Sequence, residues 1–310
     1  MTLTHDDPRT DDHAAPSVDL HVRPLSGVIG AEVRGVDLTT DLNDTAVDAI
    51  RALLLRHRVI FFPQQHLTPE QHSAFARRFG ELTPAHPVIP GIDGHPEVFE
   101  IDYTKSRELY ATYGDVSRPQ SREGSRGVSW HTDVTFVERP PLGSILNAVV
   151  IPPSGGDTLW TNQVAAYEGL STALRGFLDG LTAVHDGRAQ FGELLKRRDG
   201  GGEWEGDVYD QLRPVEHPVV RTHPETGERS LFVNAGFTSH IKELSTEESE
   251  NLLSFLHAHS TKPEYTVRYH WAAGDLAFWD NRTTQHAVVG DYGKQHRVIQ
   301  RVTLRGDRPV

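Results

Sequence analysis

Residues 265–280, YTVRYHWAAGDLAFWD, decide the fold class. Tyr265, Val267, Tyr269 and Trp271 occur at every second position, so an extended chain puts them on one face. Leu276 and Phe278 continue the pattern, and Arg297 to Leu304 behaves alike. Upstream, Val59 to Phe62 reads as a buried strand ended by Pro63, and Leu25 to Leu38 as short strands and turns. Helices are fewer. Val47, Ile50, Leu53 and Leu54 have helical spacing within 44–57. Thr68-Pro69-Glu70-Gln71 is a capping box with proline at the first helical position, opening a helix expected to stop at Gly80. Ser245-Thr246-Glu247-Glu248 opens another, to about His259. Short strands with a few helices predict a mainly β (α+β) fold: a sandwich or jelly roll with helices packed outside.

The 310 residues are enough for a large core, and no linker interrupts them after the start. Residues 1–18 are polar and acidic and read as a disordered tail, leaving 19–310 as a single domain. That N-terminus has no apolar h-region, so a cytoplasmic protein is expected. Lys and Arg number 31 against 43 Asp and Glu, a net charge of −12. This balance disfavours nucleic acid or an anionic membrane as partner, and no apolar run is long enough to span a bilayer. The absence of cysteine excludes disulfides, thiolate-bound zinc, iron–sulfur clusters and thiol nucleophiles. With 18 histidines, any metal is bound through imidazole and carboxylate. Two polar stretches, 103–127 and 197–214, are long enough to be lids or disordered.

The chemistry-bearing candidate is Ser129-Trp130-His131-Thr132-Asp133. On an extended segment His131 and Asp133 point the same way, and one imidazole and one carboxylate then meet one ion. Alone the pattern is weak; about one His-x-Asp is expected by chance in such a chain. His5-x-Asp7 is a second copy, in a tail with no framework to hold it. The distant company raises the first copy. Trp279-Asp280-Asn281-Arg282 and a turn-like Thr283-Thr284-Gln285 lead to His286, followed by Arg297 and Arg301 on one face of an apolar strand. Such arginines pair with a protein carboxylate, Asp280 for example, or wait for an anionic ligand. Two His and one Asp form a facial triad with three open positions, which suits non-heme Fe(II) oxygenases.

From about residue 20 to the C-terminus the chain resembles the taurine dioxygenase-like family of Fe(II)/2-oxoglutarate-dependent dioxygenases, which includes alkylsulfatases and phenoxyacetate-cleaving enzymes. The likeness rests on WHTDVTF at 130–136, GGDTLW at 155–160, HPVVRTHPETGER at 217–229, WDNRTTQH at 279–286 and HRVIQRVTLRGD at 296–307. It implies a double-stranded β-helix, a cupin-like jelly roll. It implies His131, Asp133 and His286 as iron ligands, and Thr158 and Arg297 as contacts of 2-oxoglutarate. It places Arg301 at the active site, on the distal carboxylate of that cosubstrate. His86 matches a histidine that grips a sulfonate or sulfate, and Phe191 and Phe237 match walls of the substrate site. Ile89 stands where the taurine enzyme has tyrosine, and Arg126 and Gly127 replace its polar Asp and Asn, so taurine fits poorly.

The implied activity consumes O₂ and 2-oxoglutarate, releases succinate and CO₂, and hydroxylates a small organic acid. The remodelled residues favour an anionic head on an apolar body, an alkyl sulfonate or sulfate ester. The resemblance also implies a homo-oligomer, dimer or tetramer. Three other readings compete: a biosynthetic hydroxylase or desaturase on an amino-acid-like substrate, a zinc-type hydrolase using the same triad, and a binding protein without turnover. Trp130, Trp160, Trp271, Trp279, His185 and His217 read as structural.

Overall fold

The computed structural model describes residues 19–87, 89–102, 130–188, 191 and 212–310. The tail 1–18, Arg126, all of 103–127 and most of 197–214 lie outside the described residues. The strands, in chain order, are β1 His21–Pro24, β2 Ala31–Arg34, β3 Val59–Phe62, β4 Phe99–Asp102, β5 Gly143–Val150, β6 Thr158–Asn162, β7 Thr182–His185, β8 Val215–Pro218, β9 Val220–Thr222, β10 Arg229–Leu231, β11 Thr238–Ile241, β12 Thr266–Tyr269, β13 Leu276–Asp280, β14 Thr284–Val288 and β15 Val298–Leu304. One sheet has the order β1-β2-β3-β13-β5-β15-β4, and a smaller one the order β12-β6-β14.

The two sheets face each other, and the alternation of side chains shows how. Strand β13 is buried along its whole length. Its Ala277 and Trp279 point into the sandwich, where they join Phe61, Leu146 and Ile299 from the large sheet and Trp160, Val267 and Tyr269 from the small one. Phe61 stacks on Tyr269 at 4.0 Å across that interior. Leu276 and Phe278 point the other way, onto helices α1 Asp44–His57 and α2 Pro69–Arg77, with Ile50, Leu54 and Phe75. This is the expected jelly roll with helices outside. Among the described residues no helix is long and apolar enough to cross a membrane.

The two capping boxes read from the sequence form, with both reciprocal bonds of Thr68–Gln71 and Ser245–Glu248 present, and Asn43, not singled out from the sequence, caps α1. Two details differ. Helix α2 ends at Arg77 rather than at Gly80, because tight bonds from Arg78 N to Phe75 O and Phe79 N to Ala76 O close its last turn first. Tyr265 leaves the face it was expected to share: it ends a 3₁₀ turn opened by Pro263 and packs in a separate cluster with Leu253 and Leu256.

Candidate metal centre and substrate site

The site lies where the small sheet meets the segment after Trp130. His131 and His286 form an isolated antiparallel bridge, with His131 N donating to His286 O at 3.0 Å and His286 N to His131 O at 2.8 Å. Their ring centroids are 4.3 Å apart. Strand β14 is set by its register on β6, His286 opposite Trp160. Asp133 arrives by a turn and not by strand alternation, because only His131 of this segment is bridged and Val134 has φ +52°. That conformation is costly for a β-branched residue. Polar anchors hold it: Thr132 Oγ1 donates to Thr284 O at 2.6 Å, Asn234 Nδ2 donates to Thr135 Oγ1, and His217 Nε2 donates to Thr135 O at 2.9 Å. His185 Nδ1 also meets Thr135 Oγ1 at 2.9 Å, so both histidines brace this turn.

One nitrogen from each histidine and one oxygen of Asp133 lie within 4.8 Å of one another. Asp133 Oδ1 is 4.0 Å from His131 Nε2 and 3.9 Å from His286 Nε2. Burial alone would raise the Asp133 pKa, but Arg301, His286, His131 and the Ser144 hydroxyl outweigh it and hold the carboxyl well below its usual range. Burial pushes His286 down to about 3, with His131 adding to the effect. An ionised carboxylate beside a neutral imidazole is the protonation state a divalent ion requires, so the donor set fits Fe(II).

Arg301 Nη1 donates to Asp133 Oδ1 at 2.5 Å, so Asp133, not Asp280, is its carboxylate partner. Its guanidinium lies over the Phe99 ring at 5.1 Å. Its Nε and Nη2 are buried without a hydrogen-bond partner among the described residues. His86 is buried beside it, with ring centroids 4.8 Å from Phe191 and 5.6 Å from Phe99. Burial, with Arg301 nearby, pushes His86 down to about 3, so it is neutral. Phe191 and Phe237 pack with Val134, Phe136 and Leu212, and Ile89 borders them. Phe237 meets the His131 ring edge-on at 6.1 Å.

Two further buried polar side chains, Arg297 and Thr158, lie at strand ends. Arg297 immediately precedes β15; its Nη2 donates to Gly156 O at 3.1 Å and its guanidinium sits 5.6 Å from the Tyr292 ring. Arg297 Nε is also buried without a partner among the described residues. Thr158 is fully buried, two positions from Trp160 on β6, and accepts from Trp271 Nε1 at 3.0 Å. Gly156 has φ +74°, and a Cβ there would meet Arg297 Nε at 3.0 Å. Glycine is needed for both the turn and the close approach.

Asp280 belongs to a separate buried network. It accepts from Arg282 Nε and Nη2 at 2.9 and 2.7 Å and from His223 Nε2 at 3.0 Å. This network pins the turn between β13 and β14 and so the start of the strand carrying His286.

Of the residues singled out from sequence, the structure brings His131, Asp133, His286, Arg301, His86, Phe191, Phe237 and Ile89 to one place, while Thr158 lies on β6 against Trp271 and Arg297 just before β15 against Gly156. Phe99, Phe136 and Ser144 were missed. Ser144, in a plain apolar strand sequence, carried no signal, whereas Asn281 stood inside the WDNR motif.

Comparisons with known proteins agree with this geometry. Residues 21–303 match the family described as taurine catabolism dioxygenase TauD, TfdA family. The chain is 44% identical over 300 residues to an alpha-ketoglutarate-dependent sulfate ester dioxygenase of Pseudomonas putida, covering 96% of this chain and 93% of that one. It is 40% identical to an alkylsulfatase of Acinetobacter baylyi, covering 94% and 87%. The crystal structure of a taurine dioxygenase from Burkholderia xenovorans superposes with a TM-score of 0.76 at 45% identity, covering 95% and 93%.

Proposed function

This chain belongs to the TauD, TfdA dioxygenase family, and from that membership we propose that it uses Fe(II), 2-oxoglutarate and O₂ to hydroxylate an alkyl sulfate ester or sulfonate. His131, Asp133 and His286 are the residues that would hold the iron. When bound, iron and keto acid supply O₂ activation and the power to break an unactivated C–H bond. The protein supplies position, charge and exclusion of water.

Arg297 and Thr158 suit the distal carboxylate of 2-oxoglutarate. Arg301 was expected there from the resemblance, but its Nη1 already touches a metal-ligand oxygen. Arg297 stands four residues before Arg301, about 13 Å along an extended chain at about 3.3 Å per residue, and would take the far carboxylate of a diacid held at the metal by its other end. Arg301 then faces the substrate. Its Nε and Nη2, buried without a partner among the described residues and beside neutral His86, suit an anionic head. This is the observation that carries the substrate reading.

The wall of Val134, Phe136, Phe191, Leu212 and Phe237 suits an apolar body, and none of these five side chains brings a carboxylate or carbonyl to pair with an ammonium group. That speaks for alkyl sulfates or sulfonates over taurine or an amino-acid-like substrate. For a primary sulfate ester, hydroxylation of the carbon bearing the ester oxygen gives an unstable product. Its new O–H loses a proton, C=O forms, the C–OSO₃ bond breaks, and aldehyde and hydrogen sulfate leave, alongside succinate and CO₂.

The test is O₂-dependent succinate and sulfate release from a primary alkyl sulfate with Fe(II) and 2-oxoglutarate, compared with taurine and amino acids. Equimolar succinate and sulfate support the reading. Sulfate release without O₂ or keto acid identifies the zinc-type hydrolase instead, and succinate formed only with an amino acid identifies the biosynthetic hydroxylase. We also propose a homo-oligomeric, cytoplasmic enzyme; the exposed Phe177 and Phe255 support an assembly, and a single-chain mass by light scattering overturns it.

A further inference from the structure

The two oxygens of Asp133 have different surroundings. Oδ1 faces His131, His286 and Arg301. Oδ2 faces away and accepts from Ser144 Oγ at 2.6 Å. Ser144 Oγ in turn accepts from Asn281 Nδ2 at 2.7 Å, and Asn281 Oδ1 accepts from Trp279 Nε1 at 2.9 Å. Ser144, Asn281 and Trp279 are 1% exposed or less.

The direction of this chain follows from its first member. An indole N–H only donates, so the Asn281 atom facing Trp279 is the carbonyl oxygen. The amide NH₂ of Asn281 must then face Ser144 and donate to it. The single hydroxyl proton of Ser144 is left with one acceptor, Oδ2. The sheet register sets the geometry: Ser144 on β5 lies opposite Trp279 on β13 and opposite Thr303 on β15. Asn281 is held just past β13 by its N–H to Leu142 O at 3.0 Å. The hydroxyl therefore arrives on a strand paired on both sides.

We propose that Ser144, oriented by Asn281 and Trp279, is a positioning residue that keeps Asp133 a one-oxygen metal ligand. The inference rests on the triad reading given above. A facial triad is useful because three positions on the ion stay open, two for a chelating keto acid and one for O₂. A carboxylate free to turn both oxygens inward would fill one of them. The hydroxyl prevents this by engaging Oδ2 in a short charge-assisted bond, leaving Oδ1 to the ion.

The experiment titrates metal-free protein with Mn(II), followed by electron paramagnetic resonance and calorimetry, for the wild type, Ser144→Ala, Ser144→Cys and Asp133→Ala. Loss of an outer-shell partner typically weakens metal binding about 10- to 100-fold, which is the loss expected for Ser144→Ala, with an altered Mn(II) line shape. Ser144→Cys, close in shape with a weaker donor, should fall between it and the wild type while keeping native circular dichroism. Wild-type affinity and line shape in either folded variant overturn the proposal. Asp133→Ala separates the two readings: if the wild type binds Mn(II) and Asp133→Ala does not, the triad stands whatever Ser144 does. If the wild type binds no Mn(II), the triad reading falls and this one with it.

Discussion

Arg301 and Asp133, 168 residues apart in sequence, meet at 2.5 Å inside the jelly roll, and the oxygen they share faces both histidines. The contact puts a fixed cation at the edge of the metal site. It keeps the carboxylate ionised, while Nε and Nη2 of Arg301 stay buried without a partner among the described residues.

The first prediction follows from the division of labour between the two arginines. Arg301→Ala should raise KM for the alkyl sulfate far more than KM for 2-oxoglutarate, and Arg297→Ala should do the reverse. A charge-assisted bond worth about 1.5–3 kcal/mol corresponds to roughly 10- to 100-fold in either constant. Steady-state kinetics with each substrate varied in turn checks this. Equal effects of both variants on both constants contradict the assignment.

Gly156→Ala should act through Arg297. The added methyl meets Arg297 Nε at 3.0 Å from a backbone at φ +74°. A strained position of this kind costs about 1–3 kcal/mol, so a modest drop in melting temperature should accompany a raised KM for 2-oxoglutarate. An unchanged KM would show that Arg297 does not serve the keto acid.

Asp280→Ala should unfold the protein more readily while removing no metal-ligand side chain. It leaves Arg282, 4% exposed, and His223 without their shared partner. Removing one member of a buried ion pair costs about 3–5 kcal/mol. Urea denaturation of the metal-free protein measures it; a change near zero contradicts the structural role.

Stability should also fall on mild acidification. His72 and His217 are buried, and burial lowers each from the ordinary 6.5 to about 4. Above pH 6.5 both are neutral whether folded or unfolded. As pH falls from there toward 4 the unfolded chain takes up the protons first, so stability is lost across that window, and below it these two groups cost nothing further. Urea midpoints at pH 7.5 and 5 should differ, and should differ less when His72 is replaced by a non-titrating residue that folds. A flat profile contradicts this.

How much of this was legible depends on the range of the cause. Helix α1, strand β3 and both capping boxes were legible because their signals lie within a few residues. The alternation marked Leu276 and Phe278 as one face of a strand, whereas the burial of the opposite face, Ala277 and Trp279, comes from the small sheet lying over it. Gly80 misled because a helix end is set by which bond forms first, and Tyr265 because Pro263 interrupts the strand. The His131–Asp133 pair was identified, but its geometry comes from a strained turn at Val134 held by Thr132, Asn234 and His217, contacts that no local pattern encodes. Ser144 and Phe99 become site residues only through strand register and ring packing, which is why their sequence neighbourhoods look ordinary.

The most direct test of the account compares iron retention and O₂-dependent succinate formation in the wild type and in Asp133→Ala, both folded and reconstituted anaerobically. The wild type should hold stoichiometric iron and form succinate with an alkyl sulfate. Asp133→Ala should retain neither iron nor activity, while full activity in that variant would contradict the triad.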